Sequence, residues 1–241
     1  MKLDFAKYTP MDSCDNIRSE CRGSNKLFVL ANGKNEPKGN RRIASKLSKV
    51  LMESFLKRPS MKKVAFEKIA DLGNNAVLAA QSPNYRTQCE YLLLALRGNK
   101  IRWSRNGDVT LLHFANGELI SRTENKPALP LGDALDVEAE VYDTEVLENK
   151  RHFLIAFSDA FKAAVPLQSI ERCVRGTASA QALLNNLMQQ YSKAGSDENV
   201  SLFALHLPPR KKKLILLILI PLIAALIFFI IGALGRMRPP M

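Results

Sequence analysis

Hydrophobic positions in the first third of the chain predict one strand followed by two long helices. Residues 27–31 form a short apolar run that ends at Asn32-Gly33, the pattern of a buried strand leading into a turn. Apolar residues at intervals of three and four then predict helices over 41–56 and 61–81, each stopped by a proline. In the second helix the inward positions are predicted to be Val64, Ile69, Leu72 and Val77.

The middle of the chain changes from helical to strand spacing. Four strand-length runs, 89–96, 100–105, 109–115 and 118–122, are separated by Gly98-Asn99, Asn106-Gly107 and Asn116-Gly117. Because both central residues of a type I′ turn need positive φ, Asn-Gly pairs between apolar runs predict hairpins and an antiparallel meander. Further strands are predicted at 137–142, 152–157 and 200–207, with a helix at 178–191. Strands and helices in separate blocks indicate an α+β domain with antiparallel sheets.

Residues 214–235 are 22 consecutive positions without a charge, an amide or a hydroxyl. A helix of this length measures roughly 33 Å, enough to span a hydrocarbon core of about 30 Å. A buried core helix of this length would be expected to carry a polar face, so a transmembrane helix is favoured. The charges that flank it and the short tail predict a cytoplasmic N-terminal domain. The basic residues before it are Arg210, Lys211, Lys212 and Lys213.

Four regions are therefore expected: a domain over 1–207, a basic juxtamembrane linker over 208–213, the transmembrane helix, and a tail over 236–241. The net charge is +12, of which +6 belongs to residues 1–209. This moderate excess suits a protein beside an anionic leaflet better than a nucleic-acid-binding protein. The N-terminus has no apolar run typical of a secretory signal, and the four cysteines lack Cys-x-x-Cys spacing, which indicates reduced thiols in cytosol.

Four strings in order resemble the metal-dependent serine/threonine protein phosphatases of type 2C, the PPM family. They are LFVLANG, the central segment ALRGNKIRWSRNGDVTLLHFANGELISRTENKPALPLG, HFLIAFSDAF and DENVSLFALHL, within about residues 12–207. The resemblance implies a four-layer α-β-β-α sandwich of two antiparallel sheets flanked by helices. It also implies protein phosphatase chemistry, in which two Mg²⁺ or Mn²⁺ ions between the sheets activate the attacking water.

The sequence departs from the family's metal-ligand pattern at most positions. Asn32 stands where the family has an aspartate that bridges both metals, followed by the retained Gly33 and by Lys34. The family's N-terminal metal-binding aspartate has no counterpart, because Asn16-Ile17-Arg18 occupies its place. Asp159 matches the acid of the family's Ser-Asp-Gly string. The remnant metal site predicted from the resemblance consists of Gly33, Asp159 and Glu198, with Asp197 as an alternative to Glu198.

Two divalent cations bring four positive charges, whereas this remnant supplies two acids, and Lys34 and Arg18 would repel cations further. The sequence therefore predicts a catalytically inactive pseudophosphatase without a metal cofactor. It would bind a phosphoprotein, a kinase or another cytosolic protein at the cytoplasmic face of a membrane, and we expect no nucleic-acid partner. The alternatives are an active, atypical phosphatase that uses Mg²⁺ or Mn²⁺, and a purely structural membrane component.

Several other residues have simpler structural interpretations. Asp159 is equally compatible with a helix N-cap, and Asp108, which follows Asn106-Gly107, is expected to be a turn residue. The histidines lack metal-ligand spacing and are expected to be structural, as is the packing residue Trp103. The histidines are His113, His152 and His206.

Overall fold

The computed structural model describes residues 3–10, 15–34, 40–81, 86–124, 129–196 and 198–209. They belong to one compact unit that ends at Pro209. Its strands are β1 (Asp4–Tyr8), β2 (Asp15–Arg22), β3 (Asn25–Lys34), β4 (Gln88–Arg97), β5 (Lys100–Asn106), β6 (Thr110–Ala115), β7 (Glu118–Arg122), β8 (Glu140–Glu145), β9 (His152–Phe157) and β10 (Leu202–Leu207). Its helices are α1 (Asn40–Lys57), α2 (Lys63–Leu78), α3 (Asp159–Ala164), α4 (Leu167–Arg175) and α5 (Ala180–Lys193).

The strands form two five-stranded sheets in which every neighbouring pair is antiparallel. Sheet A has the order β1-β10-β9-β6-β7, and sheet B has the order β2-β3-β4-β5-β8. Sheet A therefore joins the first and last strands of the domain, which lie side by side from Asp4 opposite His206 to Tyr8 opposite Leu202.

Three hydrophobic clusters separate four layers of secondary structure. One cluster lies between α1, α2 and sheet B, and a second lies between sheet A and the helices α3, α4 and α5. The third fills the space between the two sheets and includes Phe28, Trp103 and Phe203. The order helix, sheet, sheet, helix confirms the predicted fold class of two antiparallel sheets flanked by helices.

One predicted hairpin is a crossover between the sheets. The turns after β4 and β6 are hairpins as predicted, with Arg97 opposite Lys100 and Ala115 opposite Glu118. Asn106-Gly107 instead leads from β5 in sheet B to β6 in sheet A, so the prediction of one continuous meander was wrong. Local turn chemistry cannot distinguish these cases, because Gly107 has a positive φ of 81° and crossovers also need such conformations.

Two further local predictions differ from the structure. Asn32 and Gly33 do not form a turn but continue β3, opposite Glu90 and Cys89. In α2, the predicted inward residues Val64 and Leu72 are 57% and 51% exposed, whereas Phe66, Ala70 and Gly73 are buried.

The face of α2 is set by its contact with α1. A Cβ added at Gly73 would lie 3.0 Å from side-chain atoms of both Leu47 and Leu51, so the two helices approach each other closely at this glycine. This contact directs Gly73 towards α1 and rotates Leu72 towards solvent. Three elements were not predicted from the sequence, namely β1, β2 and α4, whereas α3 was anticipated only through the alternative that Asp159 is a helix N-cap.

The predicted transmembrane segment 214–235, the basic residues Arg210, Lys211, Lys212 and Lys213, and Asp197 lie outside the described residues. Among the residues that the structure describes, no helix is long and apolar enough to cross a bilayer.

Candidate functional site

A row of polar side chains lies where the space between the sheets opens at one end. Asp15 of β2, Asn32 of β3 and Glu90 of β4 occupy directly opposite positions on three adjacent strands of sheet B. Strand side chains alternate between the two sides of a sheet. Because Phe28 and Leu30 of β3 face the core between the sheets, Asn32 points into that space as well.

Lys34 joins the two sheets at this end. Its ammonium lies 3.3 Å from a Glu90 carboxylate oxygen in sheet B and 2.7 Å from Oδ2 of Asp159. Asp159 is the first residue of α3 and directly follows β9 and Ser158, so it extends from sheet A. We call Lys34, Glu90 and Asp159 the lysine cluster.

Glu90 is held by neighbours on several sides. Its carboxylate accepts a hydrogen bond from Nδ2 of Asn32 at 3.3 Å and another from the backbone N–H of Asp108 at 3.1 Å. The residue is 3% exposed. A Cβ at Gly107 would lie 2.3 Å from Cγ of Glu90, so the absence of a side chain there lets the crossover loop close over the carboxylate.

The electrostatics of the lysine cluster combine burial with ion pairing. Burial disfavours the Lys34 ammonium, but the hydrogen bond to Asp159 and the attraction of Glu90 outweigh it and raise the pKa of Lys34. Burial also raises the pKa of Glu90, and the attraction of Lys34 offsets only part of that increase. Lys34 is therefore positively charged at neutral pH, and its charge stabilises the ionised form of the buried Glu90 carboxylate.

The structure brings together three of the positions considered from the sequence. Asn32, Lys34 and Asp159 meet at the lysine cluster, with Gly33 between the first two and paired with Cys89 across the sheet. The Asp159 side chain also accepts a hydrogen bond from its neighbouring backbone N–H at 3.0 Å. Ser158 rather than Asp159 occupies the N-cap position of α3.

Two other predicted positions lie elsewhere. Glu198 is exposed, its backbone carbonyl accepts a hydrogen bond from Tyr191, and no ion pair links it to Lys34 among the described residues. Arg18 was expected to lie near the site but points to the opposite side of sheet B. Its guanidinium donates to the hydroxyl oxygens of Ser48 and Ser45 on α1 at 3.0 and 3.1 Å.

Sequence reasoning missed two acids. Asp15 is 5% exposed at the start of β2, one position before the string that was assigned to that place. Glu90 is the only charged residue in the predicted apolar run 89–96. A single acid inside a buried strand is a usable signal, because a charge that is buried needs a partner.

The residues of this site do not fit a pair of divalent cations. Asp15, Glu90 and Asp159 offer hard oxygen donors, which Mg²⁺ and Mn²⁺ prefer. Two of these three carboxylates are already engaged by the Lys34 ammonium. In the described ranges, no three or more His, Cys, Asp and Glu side chains form a group that could hold a metal ion.

Two of the histidines contact each other in the space between the sheets. His113 Nε2 lies 2.9 Å from His152 Nδ1, and His113 Nδ1 lies 3.3 Å from the Thr144 hydroxyl of sheet B. Burial lowers the pKa of His113 to about 3 and also lowers the pKa of His152. These neutral histidines connect strands and agree with a structural role. Trp103 is fully buried and stacks on Tyr142, as expected of a packing residue.

The fold of this domain is that of the PPM-type serine/threonine phosphatase catalytic domains. The catalytic domain of PstP, solved in complex with two manganese ions, is similar with a TM-score of 0.71 and 16% identity over 86% of this chain and 99% of that one. MsPP from Mycobacterium smegmatis, solved in complex with cacodylate, has a TM-score of 0.68 and 14% identity over 86% and 99%. PppA, a regulatory component of the T6SS in Pseudomonas aeruginosa, has a TM-score of 0.70 and 14% identity over 85% and 97%.

No family model matches the sequence, and no curated protein is similar to it. At 14–16% identity, the likeness to these three structures establishes the fold and not the activity. The activity depends instead on the residues of the site.

Proposed function

We propose that this protein is a membrane-anchored pseudophosphatase: a domain with the phosphatase fold that binds a cytosolic protein, such as a phosphoprotein or a kinase, without hydrolysing it. The observation that carries the proposal is the position of the Lys34 ammonium between Glu90 and Asp159. In active members of the PPM family the metal ions are expected between the sheets, and the Lys34 ammonium lies in the corresponding space of this domain.

An ammonium cannot replace a divalent cation in this chemistry. A bound metal ion accepts a lone pair from water and lowers the pKa of that water by several units, which creates the nucleophile. Lys34 has no coordination site and can only donate hydrogen bonds. The amide of Asn32 replaces a carboxylate and so removes a further negative charge that a metal pair would need.

Phosphatase assays on the full chain in detergent test the proposal. With a phosphopeptide and Mn²⁺, we expect turnover no higher than that of the Asp159→Ala variant. Lys46→Ala, a change at an exposed lysine of α1, serves as the matched control for protein quality. Metal-dependent turnover that is present in the unmodified chain and lost in Asp159→Ala would contradict an inactive centre.

An active, atypical phosphatase is the second candidate. It is favoured by the acids Asp15 and Glu90, which strand pairing places on the same side of sheet B as Lys34. With Asp159, this end of the space between the sheets carries three carboxylates against one ammonium. This candidate predicts that calorimetry detects stoichiometric Mn²⁺ binding that depends on Asp15. The absence of heat on titration with millimolar Mn²⁺ would exclude it.

The membrane anchor is supported by the apolar run 214–235 and the basic residues before it. We propose a single-pass protein whose N-terminal domain is cytoplasmic. Cys21 is exposed on the domain, so a membrane-impermeant maleimide reports its location. We expect labelling only after cells are permeabilised; labelling of Cys21 in intact cells would place the domain on the other side.

A further inference from the structure

The described domain carries its positive charge at the end opposite the lysine cluster. Two turns and one strand end lie side by side here across sheet B, linked by strand pairing. They are the β2–β3 turn at Arg22, the β4–β5 turn at Arg97 and Lys100, and the end of β8 at Glu145. The segment 59–62 after α1 lines a groove together with Arg97 and Lys100.

Five segments at this end together define what we call the basic pole: 20–26, 57–63, 97–102, 115–118 and 143–151. Together they contain eleven Lys and Arg residues and five Asp and Glu residues, a net charge of +6. Residues 1–209 as a whole also carry +6, so the remainder of the domain is electrically balanced. The net positive charge of residues 1–209 therefore falls within these segments, where Lys63 pairs with the neighbouring Glu67 of α2 at 3.5 Å.

The chain leaves the domain from this same end. Leu207, the last residue of β10, is paired with His152. His152 also accepts a hydrogen bond from the backbone N–H of Leu147 at 3.0 Å, and Leu147 belongs to the basic pole. From Leu207 to residue 214 the chain spans at most about 25 Å even when fully extended. A membrane span that begins at residue 214 would hold the pole close to the bilayer.

We propose that the basic pole docks the domain onto anionic phospholipid headgroups of the bilayer that anchors it. The proposal rests on the membrane anchor of the proposed function. Arg22, Arg97 and Lys100 are exposed, and none has an ion-pair partner among the described residues. Each basic residue near an anionic leaflet contributes about a fivefold gain in membrane affinity. Leu147, 45% exposed at the pole, offers an apolar contact beside them.

Docking by this surface would fix the direction of the lysine cluster. β3 begins at Asn25 in the basic pole and ends at Lys34 in the cluster, a distance of roughly 30 Å along the strand. The cluster end would therefore point away from the membrane and towards cytosolic partners. Its carboxylates Asp15, Glu90 and Asp159 would also be kept away from the anionic leaflet.

Hydrogen exchange on the full chain in nanodiscs tests this docking. One set of discs contains phosphatidylcholine alone. In the second set, part of the phosphatidylcholine is replaced by phosphatidylserine. We expect slower amide exchange in the β2–β3 turn, 22–25, only in the discs with phosphatidylserine. The double variant Arg97→Glu, Lys100→Glu removes two basic residues, each contributing about fivefold, so the ratio of docked to undocked domain should fall by about 25-fold. The slower exchange of residues 22–25 should then be lost.

The matched control is the double variant Lys46→Glu, Lys193→Glu, which makes the same charge change at exposed helix positions outside the pole. It should keep the protection, and both variants should unfold at the temperature of the unmodified chain. Protection in neither lipid, equal protection in both, protection that persists in the pole variant, or protection that requires added RNA or phosphopeptide would overturn the proposal. If the chain does not remain in discs of either composition, the anchor itself is refuted, which is a separate outcome.

Discussion

Replacing Lys34 with methionine tests whether the lysine cluster is held together by an internal cation. The substitution keeps the length of the side chain and removes its charge, so Glu90, which is 4% exposed in its side chain, loses its ion-pair partner. Removing one partner of a fully buried ion pair costs about 3–5 kcal/mol. Because the side chains of Lys34 and Asp159 are 28% and 42% exposed, solvent screens part of this interaction.

We therefore expect Lys34→Met to lower the free energy of unfolding by about 2 kcal/mol. For a domain of this size that corresponds to a decrease in Tm of about 4–8 °C. Trp103 is the only tryptophan and is fully buried, so its fluorescence reports urea unfolding of the core between the sheets. Lys46→Met, at an exposed lysine of α1, should be neutral.

A second prediction for Lys34→Met concerns its binding of metal ions. Without the ammonium, the carboxylates of Glu90 and Asp159 lose their shared counter-ion, so Mn²⁺ should stabilise Lys34→Met by about 1.4 kcal/mol at ten times its dissociation constant. The unmodified protein should gain less, because Lys34 already neutralises both acids. Equal stability of the two proteins, or a larger response to Mn²⁺ in the unmodified one, would refute the internal-cation explanation.

Three other substitutions test neighbouring features of the domain. Gly107→Ala should cost at least about 2 kcal/mol, because φ is positive and the new Cβ would overlap Glu90; an unchanged urea midpoint would contradict this close approach. Burial lowers the pKa of His113 to about 3, so its contribution to stability is present above about pH 6.5 and is lost as the pH falls. In urea unfolding, the unmodified protein should lose about 2 kcal/mol more stability than His113→Gln when the pH is lowered from about 6.5 to 5. Equal losses of stability in the two proteins would contradict this prediction. Ser179→Ala should cost about 1 kcal/mol, because its hydroxyl caps α5 through the N–H of Ala182, and Ser179→Asp should retain that stability.

Periodicity predicted most elements of the domain with small errors at their ends. Strand β7 has the predicted bounds 118–122, and the predicted helix 41–56 corresponds to α1 over Asn40–Lys57. These predictions succeed because the spacing of apolar residues follows from which side of an element must be buried. The fold class also followed from the order of elements and the resemblance of four local strings.

The site was predicted only in part. Asn32, Lys34 and Asp159 could be singled out because short strings around them resemble known motifs. Asp15 and Glu90 were missed, because no motif marks them and each acquires its role from the strands beside it. The predicted anchor at 214–235 and the predicted role of Glu198 stay predictions.

Residues alone were enough to predict the layered α+β architecture and to show a concentration of basic residues before an apolar segment, and the resemblance to the PPM family predicted that Asn32 stands in place of a bridging aspartate. Only the three-dimensional arrangement showed that Asn106-Gly107 changes sheets and that Lys34 lies between two acids that are 69 residues apart in sequence. The physical reason is that burial patterns are local properties of the chain. Ion pairs and crossovers depend instead on how separate strands align, and many alignments are compatible with the same pattern.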